Sequence, residues 1–95
     1  MPYDIILSPE AAEDLRFLKA NLRSEVKDAL GTYLQHEPTE TSKARIKRLR
    51  GISRPQYRLR VGDIRVFYDV DGSQVHGLAI VSKAEAEEWL RKVGR

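Results

Sequence analysis

The segment from Tyr57 to Val70 constrains the fold more than any other part of this 95-residue chain. Apolar and polar side chains alternate on both sides of Gly62-Asp63, with the period of two residues that is typical of β-strands. Glycine followed by aspartate between two such runs predicts a two-residue β-hairpin with a type II′ turn. The register of this turn predicts an apolar face made of three cross-strand pairs: Val61 with Ile64, Leu59 with Val66, and Tyr57 with Tyr68.

The opposite face of the predicted hairpin is strongly basic. The same register sets Arg60 opposite Arg65 and Arg58 opposite Phe67. Like charges directly opposed on a sheet destabilise it, so the arrangement needs a reason. One interpretation is a solvated face bridged to nearby acids. The other is a phosphate-binding surface, because guanidinium groups match phosphate oxygens in a bidentate manner, and the clustering of three arginines favours it.

The hairpin belongs to a dense positive block. Residues 43–65 carry nine basic side chains and one acid, Asp63, for a net charge of +8, although the whole chain carries only +3. Blocks of like charge bind polyanions or form disordered tails, and interleaved apolar residues predict that this block is folded. Its basic side chains outside the hairpin are Lys43, Arg45, Lys47, Arg48, Arg50 and Arg54.

Two amphipathic stripes before Pro38 predict an αα-hairpin with one apolar side. Ser8 and Pro9 favour the start of a helix over 9–20, a corner is expected at 21–23, and a second helix is expected over 23–36. Both helices are predicted to pack on one face of the sheet. The residues expected to be largely buried are Leu15, Leu18, Val26, Leu30, Tyr33, Leu59, Val66 and Val81.

Strands are predicted on both sides of this helical half, which makes the chain an α+β domain over 1–95. Residues 3–7 form a first strand, and residues 45–50 form a short strand at best. Residues 74–81 form a central strand in which His76 shares a face with Leu78 and Ile80. Ser82 and Glu85 have the spacing of a capping box, and a closing helix follows with the apolar stripe Ala86, Trp89, Leu90 and Val93.

Several functional classes are excluded by composition. The absence of cysteine excludes disulfides and thiolate metal sites and suits the cytoplasm. No run of about 18 apolar residues is present, and residues 1–7 do not form a secretory signal. No spacing of His, Asp and Glu indicates a metal site, and no nucleophilic triad or glycine-rich phosphate loop is found. Arginine does not act as a general base, so proton transfer is left to Lys47, Lys83, Tyr57, Tyr68 or the two histidines.

The segments Lys47-Arg48-Leu49-Arg50-Gly51 and Tyr57 to Val70, with the order of elements along the chain, resemble the RelE/ParE superfamily of type II toxins, and are closer to its RelE branch. The resemblance covers essentially the whole chain. It implies a small antiparallel-rich sheet of about four to five strands, an αα-hairpin after the first strand and a C-terminal helix. It also implies a toxin that needs no metal or small-molecule cofactor, has no membrane partner and is silenced by an acidic antitoxin protein.

RelE-type members are ribosome-dependent endonucleases, so the resemblance implies the ribosome and mRNA as partners. The ribose 2′-hydroxyl attacks the adjacent phosphate and leaves a cyclic phosphate. The matching catalytic positions here are Arg58, Arg60 and Arg65, with Lys83 as a candidate fourth. The expected RNA-binding residues are Lys43, Arg45, Lys47, Arg48, Arg50, Arg54 and Trp89.

The chain departs from the RelE pattern at two places. Arg58 and Arg60 stand where the best-known member has two lysines. Near the C-terminus, Lys83 takes the place of a basic or histidine-containing turn, and Trp89 follows where many members have a tyrosine. An alternative therefore remains open: a ParE-like toxin that inhibits DNA gyrase and has no nuclease site.

Overall fold

The computed structural model describes residues 2–95 and leaves Met1 outside the described part. Five strands and three helices follow one another in an α+β arrangement, as the sequence predicts. In chain order they are β1 (Asp4–Leu7), α1 (Pro9–Arg16), α2 (Ala20–Ala29), β2 (Ile46–Arg48), β3 (Tyr57–Val61), β4 (Ile64–Asp71), β5 (Gln74–Ser82) and α3 (Lys83–Val93). No helix in residues 2–95 is long and apolar enough to cross a membrane.

One mixed sheet joins all five strands in the order β1-β5-β4-β3-β2. The β2–β3, β3–β4 and β4–β5 pairs are antiparallel, whereas β1 runs parallel to β5. The first strand of the chain therefore forms one edge of the sheet and the three-residue strand β2 forms the other. The expected antiparallel-rich sheet is confirmed.

The αα-hairpin is present, but its corner lies earlier than expected. The Oγ of Ser8 accepts a hydrogen bond from the Ala11 amide at 3.0 Å, which caps α1 as predicted. However, α1 ends at Arg16 and α2 begins at Ala20, so the predicted corner at 21–23 is wrong. The apolar stripe continues through the real corner because Leu18, in the connection, packs against the same core.

The second helix widens at its end. Its last turn, Leu30–Leu34, is π-helical, and the Gln35 amide donates to the Leu30 carbonyl at 3.1 Å. Leu30 and Leu34 are both buried. The wide turn thus keeps two leucines in the core, and the helical segment ends at Leu34 rather than at 36.

The β3–β4 hairpin has the predicted turn and register. Gly62 has a φ of +58°, and no non-glycine residue in the described chain has a positive φ, which matches a type II′ turn. All five predicted cross-strand pairs are observed, from Val61 opposite Ile64 to Tyr57 opposite Tyr68. The two faces of the hairpin are therefore assigned as the sequence predicts.

Strand β5 contains a bulge that the sequence does not reveal. Phe67 pairs with Ala79, but the next residue, Tyr68, pairs with Gly77, so Leu78 is extra. An extra residue exchanges the two faces of a strand. His76 consequently pairs with Asp69 on the face opposite to Ile80, and its predicted placement beside Ile80 is wrong.

The main core lies between the αα-hairpin and the sheet. Of the residues expected to be buried, Leu15, Val26, Leu30, Leu59 and Val66 are buried. Leu18 and Tyr33 are half-buried against the same core. Val81 is also only half-buried, because it pairs with Arg65 on the other face of the sheet.

Helix α3 covers part of that other face. Ser82 and Glu85 form the predicted capping box at its start. The Trp89 ring stacks on the Phe67 ring with centroids 4.9 Å apart and planes inclined by 10°. Phe67 is thereby removed from solvent, although α3 itself contributes no fully buried residue.

Candidate nucleic-acid interface

The face of the sheet opposite the αα-hairpin gathers the three arginines of the β3–β4 hairpin that the sequence singles out. Across the strands, Lys47 pairs with Arg58, and Arg58 pairs with Phe67. One step along, Arg60 pairs with Arg65. We call this side of the sheet the open face; it carries the residues Lys47, Arg58 and Arg60, together with Arg65 and Phe67, which are buried.

Arg58 lies at the centre of the open face and is half-buried. Its Nε is buried and has no hydrogen-bond partner among residues 2–95. Burial, followed by the positive charges of Arg65 and Arg60, lowers the pKa of the Arg58 guanidinium. Arginine nevertheless remains charged at any ordinary pH. The protein therefore holds a charged guanidinium here whose buried N–H group has no acceptor.

Arg60 and Arg65 face each other but have different environments. Arg60 is exposed. Arg65 is only 6% exposed, and its Nη1 donates to the carbonyl oxygens of Gly62 at 2.9 Å and Ile64 at 3.1 Å. The carbonyl oxygens of the hairpin turn therefore bind the Arg65 guanidinium.

No carboxylate within residues 2–95 neutralises these arginines. The ion pairs of the described chain join Arg16 to Glu13, Arg54 to Asp69 and Lys92 to Glu88. Arg58, Arg60 and Arg65 take part in none of them. The interpretation of these arginines as a solvated face bridged to nearby acids is therefore not supported, because they form no ion pair with an acid of the described chain. An anion from another molecule would complement their charge.

Lys83 is the first residue of α3 and is exposed. Its backbone amide donates to the Asp63 carbonyl at 2.8 Å, which ties the start of the helix to the hairpin turn. The neighbouring residue Ser82 pairs with Ile64. The structure therefore brings Lys83 to the end of the open face where Arg65 lies.

The remaining candidates do not form one surface. The guanidinium carbon of Arg45 lies 5.2 Å from the ring centroid of Tyr33, and that of Arg48 lies 5.1 Å from the ring centroid of Tyr57. Both aromatic rings belong to the helix-side core. Arg48 thus lies at the β2 edge and towards the αα-hairpin, away from the open face. Arg45 also turns towards the αα-hairpin, but it stays next to the open face, because its Nη1 donates to the Arg60 carbonyl at 3.4 Å.

A shallow groove along the β2 edge is lined by further basic side chains of the segment 43–65. Its lining includes Lys43, Lys47, Arg48 and Arg50. Lys47 alternates with Ile46 and Arg48 along β2, and it is the member of this set that pairs with Arg58. The groove therefore continues into the open face through Lys47.

Trp89 and Arg54 already have partners inside the protein. One face of the Trp89 ring is used by Phe67, so a base has only the other face available. The Arg54 Nε donates to Asp69 Oδ2 at 2.8 Å. Asp69 was not predicted as part of the site. The sequence does indicate it, because it is an acid on the same face of the strand as Arg65 and Phe67.

Residues 2–95 contain no group of three His, Asp or Glu residues that are arranged to hold a metal ion. Of the candidates for proton transfer, Lys47 lies on the open face, Lys83 lies at its end, and His76 lies on the same side of the sheet. Tyr68 is buried on the opposite side, where its hydroxyl donates to the Pro38 carbonyl at 2.6 Å. What the open face offers chemically is positive charge and N–H donors for a phosphate group.

Comparison with known families gives one match. The model of the ParE toxin of type II toxin–antitoxin systems matches residues 5–87. A search of curated proteins finds no significant match.

Solved structures share the fold at low sequence identity. The toxin–antitoxin complex RelBE2 from Mycobacterium tuberculosis is 24% identical, with a TM-score of 0.73 over 86% of this chain and 99% of that one. The RelE–RelB complex from Pyrococcus horikoshii is 23% identical, with a TM-score of 0.71 over 87% and 97%. A mutant of E. coli RelE in the free state is 19% identical, with a TM-score of 0.70 over 98% and 99%.

Proposed function

The chain belongs to the ParE toxin family of type II toxin–antitoxin systems, within the RelE/ParE superfamily, and from this premise we propose that it is a ribosome-dependent mRNA endonuclease. It would inhibit translation by cutting mRNA on the ribosome. Its place of action would then be the cytoplasm.

The proposed reaction is internal transesterification of RNA. The 2′-hydroxyl gives up its proton as its oxygen bonds to the adjacent phosphorus. The bond from phosphorus to the 5′-oxygen breaks, and that oxygen takes up a proton, so that a cyclic phosphate and a 5′-hydroxyl result. Negative charge builds up on the phosphate oxygens in the transition state, and fixed positive charges lower its energy. Arg58, Arg60, Arg65 and Lys83 would supply these charges.

The observation that carries this proposal is the set of three neighbouring guanidinium groups without a carboxylate in the described chain. Arg58 also has a buried nitrogen without an acceptor. A phosphate group would provide acceptor oxygens and would offset both the burial and the positive neighbours that lower the pKa of Arg58. Arg65 stabilises the turn, but the exposed Arg60 opposite it adds like-charge repulsion that folding of the hairpin does not require.

The positive block outside the open face would hold the rest of the RNA. Lys47 extends the open face, and Lys43, Arg48 and Arg50 continue along the β2 groove. Such contacts release counterions from the RNA backbone, so affinity would fall with salt. Arg45 and Trp89 would contribute at the periphery, Trp89 by stacking a base on its free face.

An acidic antitoxin is the proposed resting partner. Residues 43–65 carry a net charge of +8, which attracts a negatively charged segment. The M. tuberculosis and P. horikoshii relatives in fold were solved as complexes with antitoxins. Binding of such a segment over the open face would block access of RNA.

Inhibition of DNA gyrase is the second candidate. The family model that matches carries the ParE name, and Arg65 is largely engaged by backbone carbonyls. A gyrase inhibitor would not need the unpaired arginines of the open face.

A translation reaction with purified components separates the two candidates. The protein is added to ribosomes programmed with a defined mRNA, and primer extension detects the new 5′ ends of the downstream fragments. We expect cleavage by the parent, about 10²-fold less with Arg58→Ala, and parent-like cleavage with Arg16→Ala, a distant exposed control. Absence of new ends together with inhibition of gyrase supercoiling would establish the alternative.

A further inference from the structure

Arg54 makes an ion pair that leaves most of its guanidinium available. Its Nε donates to Asp69 Oδ2 at 2.8 Å, and this is its one side-chain hydrogen bond to residues 2–95. The Arg54 side chain is 65% exposed, whereas that of Asp69 is 8% exposed. A guanidinium has five N–H donors, so the four on Nη1 and Nη2 remain for another molecule.

Asp69 is held rigidly beneath the loop that carries Arg54. Its second oxygen, Oδ1, accepts a hydrogen bond from the backbone amide of Gln56 at 2.7 Å. Gln56 Oε1 in turn accepts from the Val70 amide at 2.8 Å. Both oxygens of this buried carboxylate accept hydrogen bonds, so its orientation is fixed. The carboxylate therefore fixes the direction of the Arg54 side chain.

The backbone of Arg54 is also anchored. The Arg95 amide donates to the Arg54 carbonyl at 2.9 Å, and the Ser53 and Arg54 amides donate to the Arg95 carbonyl. At the other end of the loop, the Leu49 amide donates to the Gln56 carbonyl at 2.9 Å. The loop of residues 49–56 is therefore pinned at three points, and its arginine is presented from a rigid base.

The location of this pair connects it to the open face. Asp69 lies two residues after Phe67 on β4 and on the same face, which is about 7 Å along a strand. Phe67 pairs with Arg58. Arg54 thus extends the row of guanidinium groups beyond Arg58, at the end away from the hairpin turn.

We propose that Asp69 is a positioning residue that orients Arg54 to bind an RNA phosphate next to the one held on the open face. This inference rests on the proposed function for the identity of the ligand as RNA. Orientation matters because an arginine already held in its binding conformation loses less side-chain entropy on binding, and Nη1 and Nη2 present a fork that matches phosphate oxygens.

The opposite interpretation makes an opposite prediction. If Asp69 merely neutralises Arg54, its carboxylate repels RNA, and Asp69→Asn raises the net charge and the affinity. If Asp69 orients Arg54, the same substitution lowers the affinity although the protein becomes more positive. Asp71→Asn is the matched control, because Asp71 is an exposed acid on the same strand.

The test measures binding of a fluorescently labelled single-stranded RNA, about a dozen nucleotides long, by anisotropy at fixed ionic strength. We expect Asp69→Asn to weaken binding roughly fivefold and Asp71→Asn to leave it equal or slightly tighter. Arg54→Ala is expected to weaken binding about tenfold and to reduce the salt slope by about 0.7. Arg54→Lys, which keeps the charge but loses the fork, is expected to fall between Arg54→Ala and the parent.

A double substitution guards against a purely structural effect. In the Arg54→Ala background, Asp69→Asn is expected to have no further effect on RNA affinity, whereas a general disturbance of the loop would weaken binding in both backgrounds. Tighter binding by Asp69→Asn, an equal loss in both backgrounds, or no RNA binding by the parent would overturn the inference. Because the assay needs no cleavage, RNA binding with the expected pattern would stand even if ribosome-dependent cleavage failed.

Discussion

Arg65 lies directly opposite Arg60 across the β3–β4 hairpin, yet its Nη1 points back to the turn and donates to the carbonyl oxygens of Gly62 and Ile64. The hydrogen bonds to the turn therefore keep the Arg65 guanidinium away from solvent. Arg60 stays exposed beside it. The two arginines are consequently expected to differ in what they contribute to stability.

Arg65→Ala is expected to destabilise the protein, although it removes a like-charge contact. Two carbonyl acceptors at a buried site lose their donor, which costs about 1–3 kcal/mol of unfolding free energy. For a domain of this size each kcal/mol corresponds to about 4–8 °C in Tm. Thermal melts of Arg65→Ala and of the matched control Arg60→Ala test this. Equal melting temperatures for Arg65→Ala and the parent would show that the turn does not depend on the guanidinium.

Arg58→Lys is expected to make cleavage dependent on pH. The burial and positive neighbours that lower the pKa of Arg58 would also lower the pKa of a lysine there, from its usual value of about 10.4. The lysine would lose its charge at a lower pH than an exposed lysine does, and cleavage would fall as the pH rises. The parent is not expected to lose activity through this group, because arginine stays protonated.

Single-turnover cleavage on programmed ribosomes at pH 7, 8 and 9 measures this difference. At pH 7 we expect Arg58→Lys to be about tenfold slower than the parent, since it keeps the charge but loses the fork. Arg16→Lys serves as an exposed control for effects of pH on the ribosome itself. A rate ratio between Arg58→Lys and the parent that stays constant with pH would contradict the electrostatic role of this position.

Tyr68→Phe is expected to change how stability depends on pH. Burial, followed by the nearby Tyr57, raises the pKa of the Tyr68 hydroxyl above its usual value of about 10. The folded protein thus holds this proton more tightly than the unfolded chain, so the contribution of Tyr68 is present below about pH 10 and is lost as the pH rises further.

Urea unfolding at pH 7 and at pH 10 to 11 tests the assignment to Tyr68. At pH 7 the variant is expected to lose about 1–2 kcal/mol, because the Pro38 carbonyl loses its donor. Above pH 10 the gap between the parent and the variant is expected to narrow. Tyr57→Phe is the control, and a gap that widens with pH would contradict the sign of the effect.

The Phe67–Trp89 stack is expected to fasten α3 to the sheet. Trp89→Ala removes the ring that covers Phe67 and is expected to cost about 2 kcal/mol of unfolding free energy. A double-mutant cycle with Phe67→Leu and Trp89→Leu is expected to give a coupling energy of about 1 kcal/mol. Additive effects of the two leucine substitutions would show that the rings do not stabilise each other.

Local chemistry was enough to predict the hairpin, the helix caps and the helix-side core. The Gly62-Asp63 turn fixes the register by itself, and the capping box at Ser82 acts within four residues. The corner between the helices was misplaced because Leu18 is apolar for its own contact with the core and prolongs the stripe. The bulge at Leu78 was missed because the hydrogen bonds around it come from residues far away in the sequence, at the start of α1 and within it. Ser8 Oγ donates to the Leu78 carbonyl, and Asp14 Oδ2 accepts from the Ile80 backbone amide.

The candidate site was predictable in part for the same reason. The pairs across the hairpin follow from the turn, so the grouping of Arg58, Arg60 and Arg65 was correct. The burial of Arg65 depends on where its long side chain turns, which no alternation pattern encodes. The pairing of Arg54 with Asp69 joins a residue of the 49–56 loop to a residue of β4, and it becomes visible only when the loop is folded over β4.

The parallel pairing of β1 with β5 bears on how the chain reaches its native state. Asp4 pairs with Gln74, and the Ser8 amide donates to the Gly77 carbonyl at 2.8 Å. Closing such a long loop is entropically costly and slows folding relative to local hairpins. During synthesis the first strand has no partner until residues 74–77 have been made. The β3–β4 hairpin is therefore expected to form early, whereas the complete sheet is expected to be the last part of the fold to close.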